Sequence, residues 1–360
     1  MSIPVYTPDL TGNERKYVLD AVESGWISSI GAYVDKFEQA LVEVTGFEHV
    51  IAVCNGTVAL HLALHCNDIG PGDEVIVPTF TYIASVNTIA QTGATPVFAD
   101  VRESDWLLDP TDLERRITPR TKAIMPVHLY SGLCDPAVNS IARDRGLAII
   151  EDCAEALGSS RGGVHAGRTA DVATFSFFGN KTVTTGEGGA VATDNAVLAA
   201  RMRKVKGQGQ SLTRRYWHDE LGFNYRMTNI AAAIGVAQLE RFEGIVARKR
   251  AIADAYRKEL AGFPVVFQEP SAGVVSNEWL ISLLLPEGTD RDTVMAKMAA
   301  EGVDSRPVFY CAHQMPMYLS EERFPHAEAI AARGISLPSY PGLSDDDIST
   351  VCSALKAACR

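Results

Sequence analysis

The first half of the chain repeats one pattern. A short apolar run rich in Val, Ile and Phe ends on a polar or small residue, and a stretch with helical spacing follows. The runs are HVIAVCNG (49–56), DEVIVPTFT (73–81), ATPVFADV (94–101), TKAIMPVHLY (121–130), LAIIEDC (147–153) and DVATFSF (171–177). Helix-like stretches such as TVALHLALHC (57–66) and NSIARDRG (139–146) lie between them. A strand that is apolar on both faces needs cover on both faces, and helices supply it. The pattern therefore predicts an α/β fold with a large, mostly parallel mixed sheet covered by helices. Ligands of such sheets bind beyond the carboxyl ends of the strands, which is where the unusual residues of this chain fall.

Past residue 229 the pattern changes. A helix-like run extends from Asn229, a candidate cap, to about Leu260. EWLISLLL (278–285) then has the character of a strand, RDTVMAKMAAEG (291–302) that of a helix with a glycine stop, and GVDSRPVF (302–309) that of another strand. A chain of 360 residues is long for one domain and comfortable for two. The expected division is a large domain over 1–245 and a smaller C-terminal α+β domain over 246–360.

Composition excludes several classes of function. The net charge of −11 argues against general nucleic-acid binding, which needs a positive face. A few placed arginines can still build a local anion pocket. No uninterrupted apolar run reaches the roughly 18 residues of a membrane span, and MSIPVYTPDL has neither the basic start nor the apolar core of a secretory signal. The seven cysteines form no C-x-x-C pair, consistent with reduced thiols. The expectation is a cytoplasmic protein.

Four features carry chemistry. Lys181 lies in FSFFGNKTVTTGEGG, between an aromatic segment and a run of small residues. A lysine so placed can condense with a carbonyl group, although a surface lysine in a glycine turn is the plain alternative. Asp152 ends an apolar strand, where a carboxylate is costly without a cationic partner; capping of the following residues is its alternative, and Glu155 lies one turn further on. Asn55-Gly56-Thr57 joins a strand to a helix, a place where N–H groups and the helix dipole bind anions. Tyr82 follows the strand in PTFTYIAS and can stack on a flat ring or pack in the core. Two other motifs are discounted. His61 and His65 have a zinc-ligand spacing, but the glutamate of H-E-x-x-H is missing and leucines flank them. GEGG is followed by no G-K-[ST] and is not a P-loop. No metal is expected.

Taken in order, NGT, the tyrosine after PT, the strand-end aspartate and the lysine resemble the fold type I pyridoxal-phosphate enzymes, and more closely the DegT/DnrJ-type nucleotide-sugar aminotransferases. SGWISSIGAYVDKFE (24–38), NGTVALHLAL (55–64), GDEVIVPTFTYIAS (72–85), EDCAEALG (151–158), FNYRMTNIAAAIGVAQLER (223–241), SRPVFY (305–310) and LPSYPGL (337–343) extend the resemblance over nearly the whole chain. It implies pyridoxal 5'-phosphate as cofactor. Lys181 would bind its aldehyde and Asp152 would pair with its ring nitrogen. Tyr82 would stack on the ring, and Glu155 would lie near the phenolic oxygen. Gly56, Thr57 and Ser176 would hold the phosphate, joined by Asn224 from a second subunit. Relatives that remove a sugar hydroxyl carry histidine in place of this lysine, so Lys181 points to amination. Ser131 departs from the family, where a glycine is expected in HLYSG.

The resemblance further implies L-glutamate as amine donor and a GDP-linked 4-keto-6-deoxy sugar as acceptor. A UDP- or dTDP-linked ketosugar is the alternative, and a cofactor-binding regulator without turnover is a third reading. Arg214, Arg215 and Arg306 are candidates for the diphosphate, because guanidinium forks match phosphate oxygens. Trp26, Ser29 and His313 are further substrate-contact candidates. A homodimer with shared sites is implied, with a tetramer as the other arrangement the resemblance allows.

Overall fold

A computed structural model describes residues 2–211 and 213–360. Each of the six apolar runs contains one strand: β1 His49–Val53, β2 Glu74–Pro78, β3 Thr95–Ala99, β4 Thr121–Ile124, β5 Ala148–Asp152 and β6 Val172–Ser176. The strands are shorter than the runs. Their polar tails become loops at the carboxyl edge of the sheet. A seventh strand, β7 Gly189–Thr193, inserts between β1 and β6, antiparallel to both. The sheet order is β1-β7-β6-β5-β4-β2-β3, with β2 to β6 mutually parallel. GAVAT is short and follows a glycine run, so it carried no strand period; it is nevertheless wholly buried. Its glycine is required, since a Cβ on Gly189 would lie 2.4 Å from the Asn55 carbonyl oxygen.

The run from 229 to 260 is two helices, Asn229–Leu239 and Phe242–Glu259. Thr228, not Asn229, caps the first: its side chain accepts from the Ala231 N–H. Thr228 has the extended backbone of a cap, which places Asn229 inside the first turn. The Asn229 carboxamide instead accepts from the Tyr33 N–H at 2.9 Å and donates to the Trp26 carbonyl at 2.6 Å, tying down the segment from 26 to 33.

A second, wholly antiparallel sheet follows, formed by β8 Val266–Phe267, β9 Ile281–Leu284, β10 Arg306–Pro307 and β11 Gly334–Leu337 in the order β8-β9-β11-β10. The strand expected over 302–309 shrinks to Arg306–Pro307 at a sheet edge. Proline has no N–H for a ladder, so an edge is where it is tolerated. Helices Arg291–Ala300 and Asp345–Ala358 share a core with this sheet through Leu283, Met298, Ile335 and Val351. The first residues of the chain also lie here. The Ile3 N–H donates to Gly302, and Val5 accepts from the Ser339 N–H. Among the described residues, no helix is long and apolar enough to cross a membrane.

Lys249, on the helix Phe242–Glu259, is almost completely buried. Its Nζ lies 2.6 Å from the Trp279 carbonyl and 2.7 Å from both the carbonyl and the hydroxyl of Ser339. The amine donates to all three oxygens, and a neutral amine could instead accept from the Ser339 hydroxyl once that hydroxyl turns. Burial pushes the amine down to about 7, against the smaller pull of Glu278. The unfolded chain, with an ordinary lysine near about 10.4, then binds more protons than the folded one between these values. Stability contributed at this position therefore rises with pH across that window. Urea unfolding at pH 7, 8, 9 and 10 should show wild type gaining steadily on Lys249→Met; a constant difference would exclude a neutral buried amine.

Candidate active site

The carboxyl ends of β1, β2, β4, β5 and β6 converge on a cavity of about 480 Å³. β5 delivers Asp152, and the tails of β1, β2 and β4 deliver Gly56 and Thr57, Tyr82, and His128 to Tyr130. β6 delivers Ser176, and the loop beyond it delivers Lys181. From the second sheet come Trp279, Arg306 and Phe309. Another depression, of about 510 Å³, is lined by Asp112, Arg115, Arg116, Glu322 and Arg323. Its arginines pair with its own carboxylates or with Glu328, so its charges neutralise one another.

Lys181 closes a turn through its N–H to the Phe178 carbonyl at 2.9 Å, and its own carbonyl accepts from the Tyr6 hydroxyl at 2.7 Å. The amine lies 3.2 Å from Glu155 Oε1 and 3.9 Å from the centre of the Trp279 ring. A carboxylate and an aromatic face together hold a cation in one place. Glu155 is buried, and its other oxygen accepts from the Tyr130 N–H at 2.7 Å. Burial raises its pKa, and Lys181 draws it part of the way back.

Asp152 is also buried, but its partners are neutral. Ser85 Oγ donates to one oxygen at 2.8 Å and the Ala154 N–H to the other at 3.0 Å. Burial raises its pKa, and these two bonds and the more distant Lys181 only partly oppose the rise. A buried carboxylate in this state favours any ligand that brings a cation to it. Asp152 accepts from Ala154 as a cap would, and it lines the cavity.

On the opposite side, the helix Gly56–Cys66 begins at the cavity, capped by Asn55 Oδ1 on the Val58 N–H at 2.9 Å. A Cβ on Gly56 would lie 2.8 Å from Ser176 Cβ and 3.1 Å from its hydroxyl oxygen. Gly56, Thr57 and Ser176 therefore form a cradle at a helix N-terminus that a side chain would fill, which suits a phosphate. Tyr82, ahead of the helix Ile83–Gln91, is 56% exposed, and its ring centre lies 5.5 Å from that of Phe309. An amine, a cation-seeking carboxylate, an open aromatic face and an anion cradle are the donor set that pyridoxal phosphate requires.

The cavity brings together Gly56, Thr57, Tyr82, Asp152, Glu155, Ser176, Lys181 and Arg306. Other candidates lie elsewhere. His313 is buried, with Nδ1 2.7 Å from Thr79 Oγ1 and Nε2 3.4 Å from Glu328, and its ring meets Phe324 at 4.7 Å. It is a core histidine, which corrects its expected substrate contact. Arg214 and Arg215 lie over the rings of Trp217 and Tyr216 on an exposed loop, outside the cavity. Asn224 is exposed beside Gly207, and Trp26 and Ser29 also lie outside the cavity of their own chain. Three residues escaped the sequence reading. Ser85 shares the face of Tyr82 one helical turn on, a spacing that could have signalled it. Trp279 and Tyr130 become neighbours only when the sheets meet, with rings 6.1 Å apart and nearly parallel.

Behind Asp152, His128, Glu151 and Cys153 bring ligand-type atoms within 4.8 Å of one another. His128 Nδ1 accepts from the Cys134 N–H, so the proton of a neutral ring sits on Nε2, facing Glu151 at 2.9 Å. This is the arrangement of a buried hydrogen-bonded pair, with no nitrogen lone pair free for an ion.

Fold and cavity together define a pyridoxal-phosphate-dependent aminotransferase. Residues 8–356 match the DegT/DnrJ/EryC1/StrS aminotransferase family, and the chain belongs to it. It is 48% identical over 360 residues to the GDP-perosamine synthase of Vibrio cholerae, covering 98% of each chain. Among solved structures it is similar to the sugar aminotransferase Spr1654 of Streptococcus pneumoniae, known in PMP and PLP forms. For the PMP form the TM-score is 0.95 at 29% identity, covering 100% of this chain and 98% of that one. It is also similar to DesI solved with its TDP-sugar product, with a TM-score of 0.92 at 34% identity over 100% and 94% of the two chains.

A hydrogen bond to a charged group contributes about 1.5–3 kcal/mol. Ser85→Ala should therefore weaken cofactor binding by about tenfold or more in an absorbance titration of apoprotein, with the fold unchanged by circular dichroism. An unaltered Kd would remove Ser85 from the support of Asp152.

Proposed function

We propose that the protein transfers the amino group of L-glutamate to C4 of GDP-4-keto-6-deoxy-D-mannose, giving 2-oxoglutarate and GDP-perosamine, a sugar that suits O-antigen or another surface glycan. The observation that carries this reading is a lysine amine held between Glu155 and Trp279, in a chain 48% identical to GDP-perosamine synthase over nearly its whole length.

Bound pyridoxal phosphate supplies an aldehyde and an electron-withdrawing ring that delocalises the charge left when a proton leaves the substrate carbon. Asp152 would keep the ring nitrogen protonated by offering a carboxylate that only a cation fully stabilises. Tyr82 would stack on the ring, and Gly56, Thr57 and Ser176 would hold the phosphate. Lys181 would bind the aldehyde of the cofactor, and its free amine would move a proton to and from the α-carbon of glutamate. Glu155 and the indole of Trp279 restrict how far that amine can wander. Arg306, exposed at the mouth, is the cavity's cation for a substrate carboxylate or diphosphate.

We also take the chain as two domains, 1–245 and 246–360, whose sheets contribute to one cavity, and as a homodimer. Trp26, Ile27, Ile30, Tyr216, Trp217 and Leu221 are exposed large apolar residues, which supports an interface near them. In that dimer Trp26, Ser29, Arg214, Arg215 and Asn224 would serve the second subunit's cavity. The TDP-sugar product of DesI keeps a dTDP-linked substrate as the second reading.

Purified holoenzyme with glutamate should release 2-oxoglutarate on addition of the GDP-linked ketosugar. Turnover with UDP- or dTDP-ketosugars alone would move the assignment to them. Asp152→Asn should retain cofactor yet lose about a hundredfold or more of kcat, the scale of one misplaced electrostatic stabiliser; near-normal rates would contradict the role of the ring nitrogen. Borohydride treatment of holoprotein should leave a pyridoxyl group on Lys181, read by peptide mass, and none on Lys181→Ala.

A further inference from the structure

Tyr130 and Ser131 are two successive residues in the left-handed region, with φ of 50° and 76°, and both are buried. Residues with a Cβ adopt this backbone only where their surroundings over-determine it. For Ser131 the surroundings are a set of hydrogen bonds. Its hydroxyl donates to the Glu155 carbonyl at 3.1 Å and accepts from the Trp279 N–H at 2.9 Å. Its carbonyl accepts from the Ser159 hydroxyl at 3.0 Å, which in turn accepts from the Asn277 N–H at 3.0 Å. The N–H of Tyr130 meets the Glu155 carboxylate. One oxygen atom thus ties together the two residues that flank the Lys181 amine, one from the first sheet's carboxyl edge and one from the approach to β9.

We propose that Ser131 is a positioning residue, whose hydroxyl clamps Glu155 to Trp279 and thereby sets where the Lys181 amine sits. The clamp needs a donor and an acceptor on a single short side chain. Alanine and glycine supply neither, and valine or leucine would meet a fully enclosed space. Removal leaves the backbone N–H of Trp279 buried and unpaired; the indole keeps its bond to the Asn180 carbonyl and the Trp279 carbonyl its bond from Lys249, but the backbone loses its tie to Glu155, so the spacing of the two groups around the amine can change. A loss of fit of this kind falls mainly on kcat, because the group displaced is the one that moves the proton. The inference rests on the amine's role proposed above.

The test uses holoenzyme of Ser131→Ala and Ser131→Gly. Glycine accepts the left-handed backbone without strain, so it removes the hydroxyl while easing the loop. The readouts are the pH midpoint of the bound cofactor's visible absorbance, kcat and KM for both substrates, and thermal unfolding. Both variants should move the absorbance midpoint by about half a pH unit or more and lower kcat about tenfold, with KM within about twofold. Ser131→Gly should melt at or above Ser131→Ala; should the alanine variant not fold, the glycine variant decides alone. A Ser131→Gly holoenzyme that labels at Lys181 with borohydride but keeps the wild-type midpoint and kcat overturns the clamp and leaves the amine's role standing. Wild-type protein that fails to label at Lys181 overturns both.

Discussion

Asp152 is a carboxylate buried at the end of a parallel strand with only neutral donors for company, and the cavity is organised around that unfavourable state. A free carboxyl so placed is held above its ordinary range by desolvation. It becomes comfortable when a ligand cation arrives. The same burial that raises its cost therefore becomes selectivity for a ligand that brings a cation. Ser85 and the Ala154 N–H hold the group in place without neutralising it, which leaves that task to the ligand.

Glu155 shows how the same residue class is used differently three positions on. It too is buried and raised, but it faces a resident cation, Lys181, at 3.2 Å. The two carboxylates divide the cavity into a side that accepts a ligand cation and a side that holds the chain's own. Trp279 completes the second side with an aromatic face, and its backbone is pinned by Lys249 and Ser131. The position of the Lys181 amine, on a loop of the large sheet, thus depends on bonds that hold Trp279 at the approach to the second sheet.

The antiparallel strand β7 matters for the same geometry. Its insertion between β1 and β6 brings Gly189 against the Asn55 backbone, and Ser176 against Gly56. The phosphate cradle is the product of that close approach. Larger residues at either glycine would separate the two strand ends and open it.

Six of the seven strands of the large sheet and their carboxyl-edge loops were legible in the amino-acid order, as was the set Gly56, Thr57, Tyr82, Asp152, Glu155, Ser176 and Lys181 that the structure gathers around one cavity. Local hydrophobic period and turn chemistry are properties of neighbouring residues, and a family resemblance preserves them. β7 was not legible, because five small buried residues after glycines have no period to detect. Nor was the core position of His313: its closest partner, Thr79, is distant in sequence, and Glu328 meets it from a separate helix. Asn229 carried a capping signal that Thr228 took over, a choice settled by which backbone is extended at the helix entry. The partnership of Lys181 with Trp279, of Asp152 with Ser85, and of Ser131 with both sides of the amine was decided by tertiary structure alone. Those contacts join residues tens to more than a hundred positions apart: Ser85 meets Asp152, and Ser131 meets Glu155, where strand ends of the large sheet converge, whereas the contacts of Trp279 form only where the two sheets meet.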